Sequence, residues 1–124
     1  MRVLIVDDSR AMRVILSRML REVGCDVEEA TNGQEALDLV RARGLPELLL
    51  VDWNMPEMNG LDLVRTIRGE LGERGVAIMM VTTETETSQV VRALAAGANE
   101  YLMKPFTKDG LLEKLRMLGV VTEA

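Results

Sequence analysis

The sequence predicts a doubly wound α/β domain on a five-stranded parallel sheet. Three observations lead there. Short apolar runs that read as buried strands alternate with stretches of helical periodicity along the whole chain. Each run is followed by a helix-length segment, which is the crossover that parallel neighbours need and which covers both faces of the sheet. The length of 124 residues matches one domain with a sizeable core, so residues 1–124 are expected to form a single unit.

Val3 to Val6 is the first strand. Met12, Ile15, Leu16, Met19, Leu20 and Val23 then recur at helical spacing, with Ser9 as the cap and Gly24 as the stop. Asp26 to Ala30 is a weaker second strand, and a helix from Asn32 to Arg43 turns Leu37 and Val40 inward before Gly44. Leu48 to Val51 is the third strand. Its helix opens near Gly60, puts Leu61, Val64, Ile67 and Leu71 on one side, and is expected to end at Gly69, Gly72 and Gly75. Val76 to Val81 is the fourth strand, followed by a helix from about Glu86 to Ala96. Tyr101 to Met103 is a short fifth strand, and Thr107 caps a last helix carrying Leu111, Leu112, Leu115 and Leu118.

Composition narrows the chemistry. With no histidine there is no Ser/His/Asp or Cys/His arrangement and no histidine metal ligand. The single cysteine, Cys25, reads as a small apolar filler and fits a reducing, cytoplasmic compartment. Net charge is −5 with both signs interspersed, which argues against direct nucleic-acid binding. The apolar run after Met1 and Arg2 is too short for a signal peptide or a membrane span.

In open parallel sheets the functional crevice lies beyond the carboxyl ends of the strands. The residues there are polar: Asp7 and Asp8 after the first strand, Asp52 after the third, Thr82 and Thr83 after the fourth, Lys104 after the fifth. Two like charges ~4 Å apart at an effective dielectric of about 20 repel by roughly 4 kcal/mol, so three carboxylates on one rim call for a cation. Mg²⁺ suits a few carboxylates supplemented by water, and Lys104 adds a fixed positive charge. A metal, an amine and a hydroxyl around one carboxylate match the needs of phosphoryl transfer, with Asp52 as the nucleophile. Neither glycine-rich nucleotide-binding motif follows the first strand, where "VDDSRAM" stands instead.

"LIVDDS" at 4–9, "VDWNMPEMNG" at 51–60, "VTTE" at 81–84 and "AGANEYLMKPF" at 96–106 together resemble the receiver domains of two-component response regulators, most closely the stand-alone chemotaxis (CheY-like) regulators. The resemblance implies a flavodoxin-like sheet in the order 2-1-3-4-5; CheY is itself a worked example of that order. It implies that Asp52 accepts a phosphoryl group from the phosphohistidine of a sensor histidine kinase. Asp7, Asp8, Asp52 and the backbone carbonyl of Asn54 would serve Mg²⁺, and Thr82 and Lys104 would contact the phosphoryl oxygens. Tyr101 would act with Thr82 as a switch, Asn54 and Glu84 would tune dephosphorylation, and the bond before Pro105 would be cis. Thr83 departs from the family's usual alanine or glycine.

On this resemblance the protein is a monomeric phosphoacceptor, not an enzyme beyond self-catalysed transfer and autodephosphorylation. Its downstream target would bind the face of the fourth helix, fifth strand and fifth helix. Alternatives are a receiver of another phosphorelay, a fragment of a longer regulator, or a Mg²⁺-dependent phosphohydrolase. The last is disfavoured because Asn54 stands where such enzymes place a second carboxylate. Plainer readings stand beside these: Asp7 and Asp8 as turn residues, Thr82 as a cap, Tyr101 as packing. Trp53 reads as a surface or loop residue. Arg13, Arg18, Arg21, Arg41, Arg43, Arg65 and Arg68 read as solvated helix faces.

Overall fold

The computed structural model describes residues 1–53, 60–71, 76–83 and 87–119. Strands β1 (Arg2–Val6), β2 (Asp26–Ala30), β3 (Leu48–Asp52), β4 (Ala77–Thr83) and β5 (Glu100–Lys104) alternate with helices α1 (Arg10–Glu22), α2 (Gly33–Arg43), α3 (Gly60–Leu71), α4 (Thr87–Ala96) and α5 (Lys108–Leu118). All strand pairs are parallel, and the order is β2-β1-β3-β4-β5, as expected.

The local signals act as their chemistry dictates. Ser9, Asn32 and Thr107 each accept a hydrogen bond from a backbone N–H in the first turn of α1, α2 and α5. Where α1 ends, Gly24 takes a φ of +90°, a conformation that strains residues with a side chain. α3 runs through Gly69 to Leu71, the last apolar residue placed on it from sequence; a lone glycine costs a helix only about 1 kcal/mol, and the packing of α3 outweighs that. Expectations resting on Gly72, Gly75 and Glu86 fall outside the described residues.

Side-chain alternation along each strand builds two cores. Leu4, Val6, Leu49, Val51, Ile78 and Met80 pack with Leu37 and Val40 of α2, Leu63 and Ile67 of α3 and Ala93 of α4. Val3, Ile5, Leu48, Leu50, Met79 and Val81 pack with Leu16 and Leu20 of α1 and with Leu111 and Leu115 of α5. The sheet is therefore covered on both sides, and the strand ends alone remain for chemistry. Cys25 is a buried member of the second core, as its reading required.

Trp53 lies just past the end of β3, as a loop residue would, but it is not at the surface. It follows β3 on the parity of Leu49 and Val51, is 7% exposed, and belongs to the first core. Its backbone N–H donates to the Val81 carbonyl and its own carbonyl accepts from Gly60 N.

Arg68 is not a solvated helix face either. It falls four residues after Val64 and seven after Leu61, on the inward stripe of α3. Its guanidinium donates to the Gly97 carbonyl, the Val76 carbonyl and Asn99 Oδ1.

Candidate functional site

Register assembles the site. Val6 pairs with Val51, so Asp7 and Asp52 are each one step beyond that pair on adjacent strands. Asp52 pairs with Val81 and Val81 with Leu102, which brings Lys104 to the same edge two residues further on. By alternation Asp7, Asp52 and Lys104 share the parity of Ile5, Leu50 and Leu102, on the α1 and α5 side. Asp52, Thr82 and Lys104 are still strand residues, so a rigid sheet rather than a loop sets their spacing.

Asp7, Asp8 and Asp52 each offer a carboxylate oxygen within 4.8 Å of the others. Asp7 and Asp52 are buried and Asp8 is exposed. Lys104 Nζ donates to Asp52 Oδ1 at 3.3 Å. Asp7 Oδ1 accepts from the Ser9 backbone N–H at 2.8 Å, whereas its buried Oδ2 has no hydrogen-bond partner among the described residues. A buried carboxylate oxygen left without a donor is costly in a native fold, and a cation removes that cost.

Burial, then the negative charge of Asp7, pushes the Asp52 pKa up to about 6 against the opposing pull of Lys104. The Asp7 pKa is raised as well, chiefly by burial, with the Ser9 backbone N–H and Lys104 acting in the opposite sense. Both shifts say that burial makes charge on these two carboxylates costly, and that Lys104 does not fully offset that cost. Hard oxygen donors of this kind, gathered around a buried unsatisfied oxygen, fit a divalent cation such as Mg²⁺.

Thr82 is buried in β4 two residues after Met80. Tyr101 is half-buried against the first core, with Lys114 Nζ 4.3 Å from its ring centroid; Lys114 also donates to Glu100 Oε1 at 3.0 Å. The Lys104-Pro105 bond is cis. Asn54 and Glu84 lie outside the described residues, as does the side chain of Thr83.

Sequence reasoning missed Arg13. Its Nη1 donates to the Asp7 carbonyl at 2.7 Å and its Nε to Glu29 Oε1 at 3.1 Å, while buried Ser17 donates to Glu29 Oε2 at 3.0 Å. The signal was available: Arg13 sits three residues before Leu16 and seven before Leu20, on the inward stripe of α1.

The family model for the response regulator receiver domain matches residues 3–116. The chain belongs to this family. Among relatives, it is 45% identical over 119 residues to the chemotaxis protein CheY1 of Helicobacter pylori, covering 95% of this chain and 96% of that one. It is 48% identical over 116 residues to the CheY homolog of Campylobacter jejuni, covering 93% and 89%. A solved structure of the Vibrio cholerae chemotaxis protein CheY4 superposes with a TM-score of 0.85 at 35% identity, covering 94% of this chain and 96% of that one. Receiver domains are phosphorylation-activated signalling switches, not enzymes of the usual kind, and they communicate with histidine kinases and downstream targets. In this receiver domain, no helix among the described residues is long and apolar enough to cross a membrane.

Proposed function

We propose that this receiver domain is a chemotaxis response regulator, a switch that takes a phosphoryl group onto Asp52 from a kinase phosphohistidine. The observation that carries this reading is the buried Asp52 carboxylate, clustered with Asp7 and Asp8 and paired with Lys104. The names of its relatives support the choice of chemotaxis.

In the transfer, an Asp52 oxygen attacks phosphorus as the N–P bond breaks, and the imidazole leaves with the bonding pair. Asp7, Asp8 and Asp52, with the Asn54 carbonyl that the resemblance adds, would hold Mg²⁺, and the ion would supply charge neutralisation at the phosphoryl oxygens. Lys104 contributes a fixed cation and Thr82 a hydroxyl donor to the same oxygens. Water later attacks phosphorus and returns Asp52 to a carboxylate with release of inorganic phosphate, a step whose rate the resemblance assigns to Asn54 and Glu84.

Drawing Thr82 toward the phosphoryl group lets Tyr101 change position, which shifts a two-state equilibrium at the α4, β5 and α5 face where the target docks. The domain acts in the cytoplasm as a monomer, with no direct contact to nucleic acid or membrane. Incubation with Mg²⁺ and acetyl phosphate tests the reading: the expected product gains the mass of one phosphoryl group. A gain that persists in Asp52→Asn sinks the assignment.

A further inference from the structure

Every polar group of Asp7 except one carboxylate oxygen is engaged. Its N–H donates to the Ala30 carbonyl, its carbonyl accepts from Arg13, and its Oδ1 accepts from Ser9 N. Arg13 is in turn oriented from β2, because Glu29 takes its Nε while Ser17 fixes the other Glu29 oxygen. Glu29 immediately precedes Ala30, so both ends of this network reach the backbone of Asp7. The Arg13 side chain is only 13% exposed, and the donor to Glu29 is buried.

We infer that Arg13 is a positioning residue for the carboxylate edge: held by Glu29 and Ser17, its guanidinium fixes the Asp7 backbone and leaves Oδ2 for a cation. The inference rests on the magnesium reading and adds a residue to it. A planar guanidinium can hold both acceptors at once, which a single ammonium nitrogen does poorly. Partners that orient a metal-ligating residue commonly govern metal affinity about tenfold or more.

The sign of the effect separates positioning from plain electrostatics. Arg13 is a cation near a cation site, so removing its charge alone would tighten Mg²⁺ binding. Positioning predicts the opposite.

The experiment is calorimetric titration of the metal-free protein with Mg²⁺ at neutral pH, for wild type, Arg13→Met, Arg13→Lys and Asp8→Asn, each checked for native near-ultraviolet dichroism. Arg13→Met is expected to bind Mg²⁺ about tenfold more weakly and Arg13→Lys about threefold. If Arg13→Met fails to fold, Arg13→Lys decides the matter, since affinity equal to wild type would overturn the inference. Unchanged or tighter binding by folded Arg13→Met overturns it as well, while weakening in Asp8→Asn leaves the magnesium reading intact. A wild-type protein that takes up no Mg²⁺ overturns both.

Discussion

Lys104 Nζ meets Asp52 Oδ1 at 3.3 Å, joining the last residues of two strands that β4 separates. Lys104 is a group that lowers the Asp52 pKa, against burial and Asp7, which raise it to about 6. Substituting Lys104→Met is therefore expected to move the Asp52 titration further up. Carboxyl carbon shifts followed by NMR across pH would read this directly, and an unmoved midpoint would show that the pair is not formed in solution.

The same shift sets the sign of a pH dependence. The folded pKa of Asp52, about 6, lies above its ordinary value of 3.8, so between these values the native state binds more protons than the unfolded one. Stability of the metal-free protein should then fall as pH rises from about 4 to 6 and stay low above that, with raised Asp7 contributing in the same sense. Excess Mg²⁺ should restore stability above pH 6, where the carboxylates are free to bind it. Denaturant midpoints at pH 5 and 7, with and without Mg²⁺, give the comparison.

Neutralising the central acid trades function for stability. Asp52→Asn keeps the shape and removes one buried charge, so metal-free protein at pH 7 should gain about 1–3 kcal/mol. Urea unfolding measures the gain. The same variant should take no label from acetyl phosphate.

Gly60 should tolerate no side chain. A Cβ there would stand 2.5 Å from the Asp52 carbonyl oxygen and 2.7 Å from Met80 Cε. The methionine can turn aside, but the strand backbone cannot. Gly60→Ala is expected to cost about 1–3 kcal/mol and to weaken Mg²⁺ binding by displacing the end of β3. Thermal melts and metal titration would register the two effects, and a variant matching wild type in both would contradict the packing.

Most of this architecture was legible in the chain because periodicity reports burial. Continuous runs such as Leu48 to Val51 marked strands, and the caps Ser9, Asn32 and Thr107 marked helix starts. The acids at the strand ends stood out because a carboxylate interrupts a pattern that would otherwise stay apolar. Errors arose where residue type and position disagreed. Arg13 and Arg68 were read by their charge as solvated, yet both lie on inward stripes and donate to backbone carbonyls. Trp53 was read by its neighbourhood of turn-forming residues, whereas strand alternation continues through it into the core.

The pleat gives Asp52 and Trp53 different audiences. One side chain opens toward the charged edge beside α1 and α5, while the indole looks the other way into the layer under α2, α3 and α4. The peptide between them links an acid at the charged edge to a ring packed in the opposite layer, so tryptophan emission on loading would read how far a change at that edge reaches into the packing beneath α2, α3 and α4.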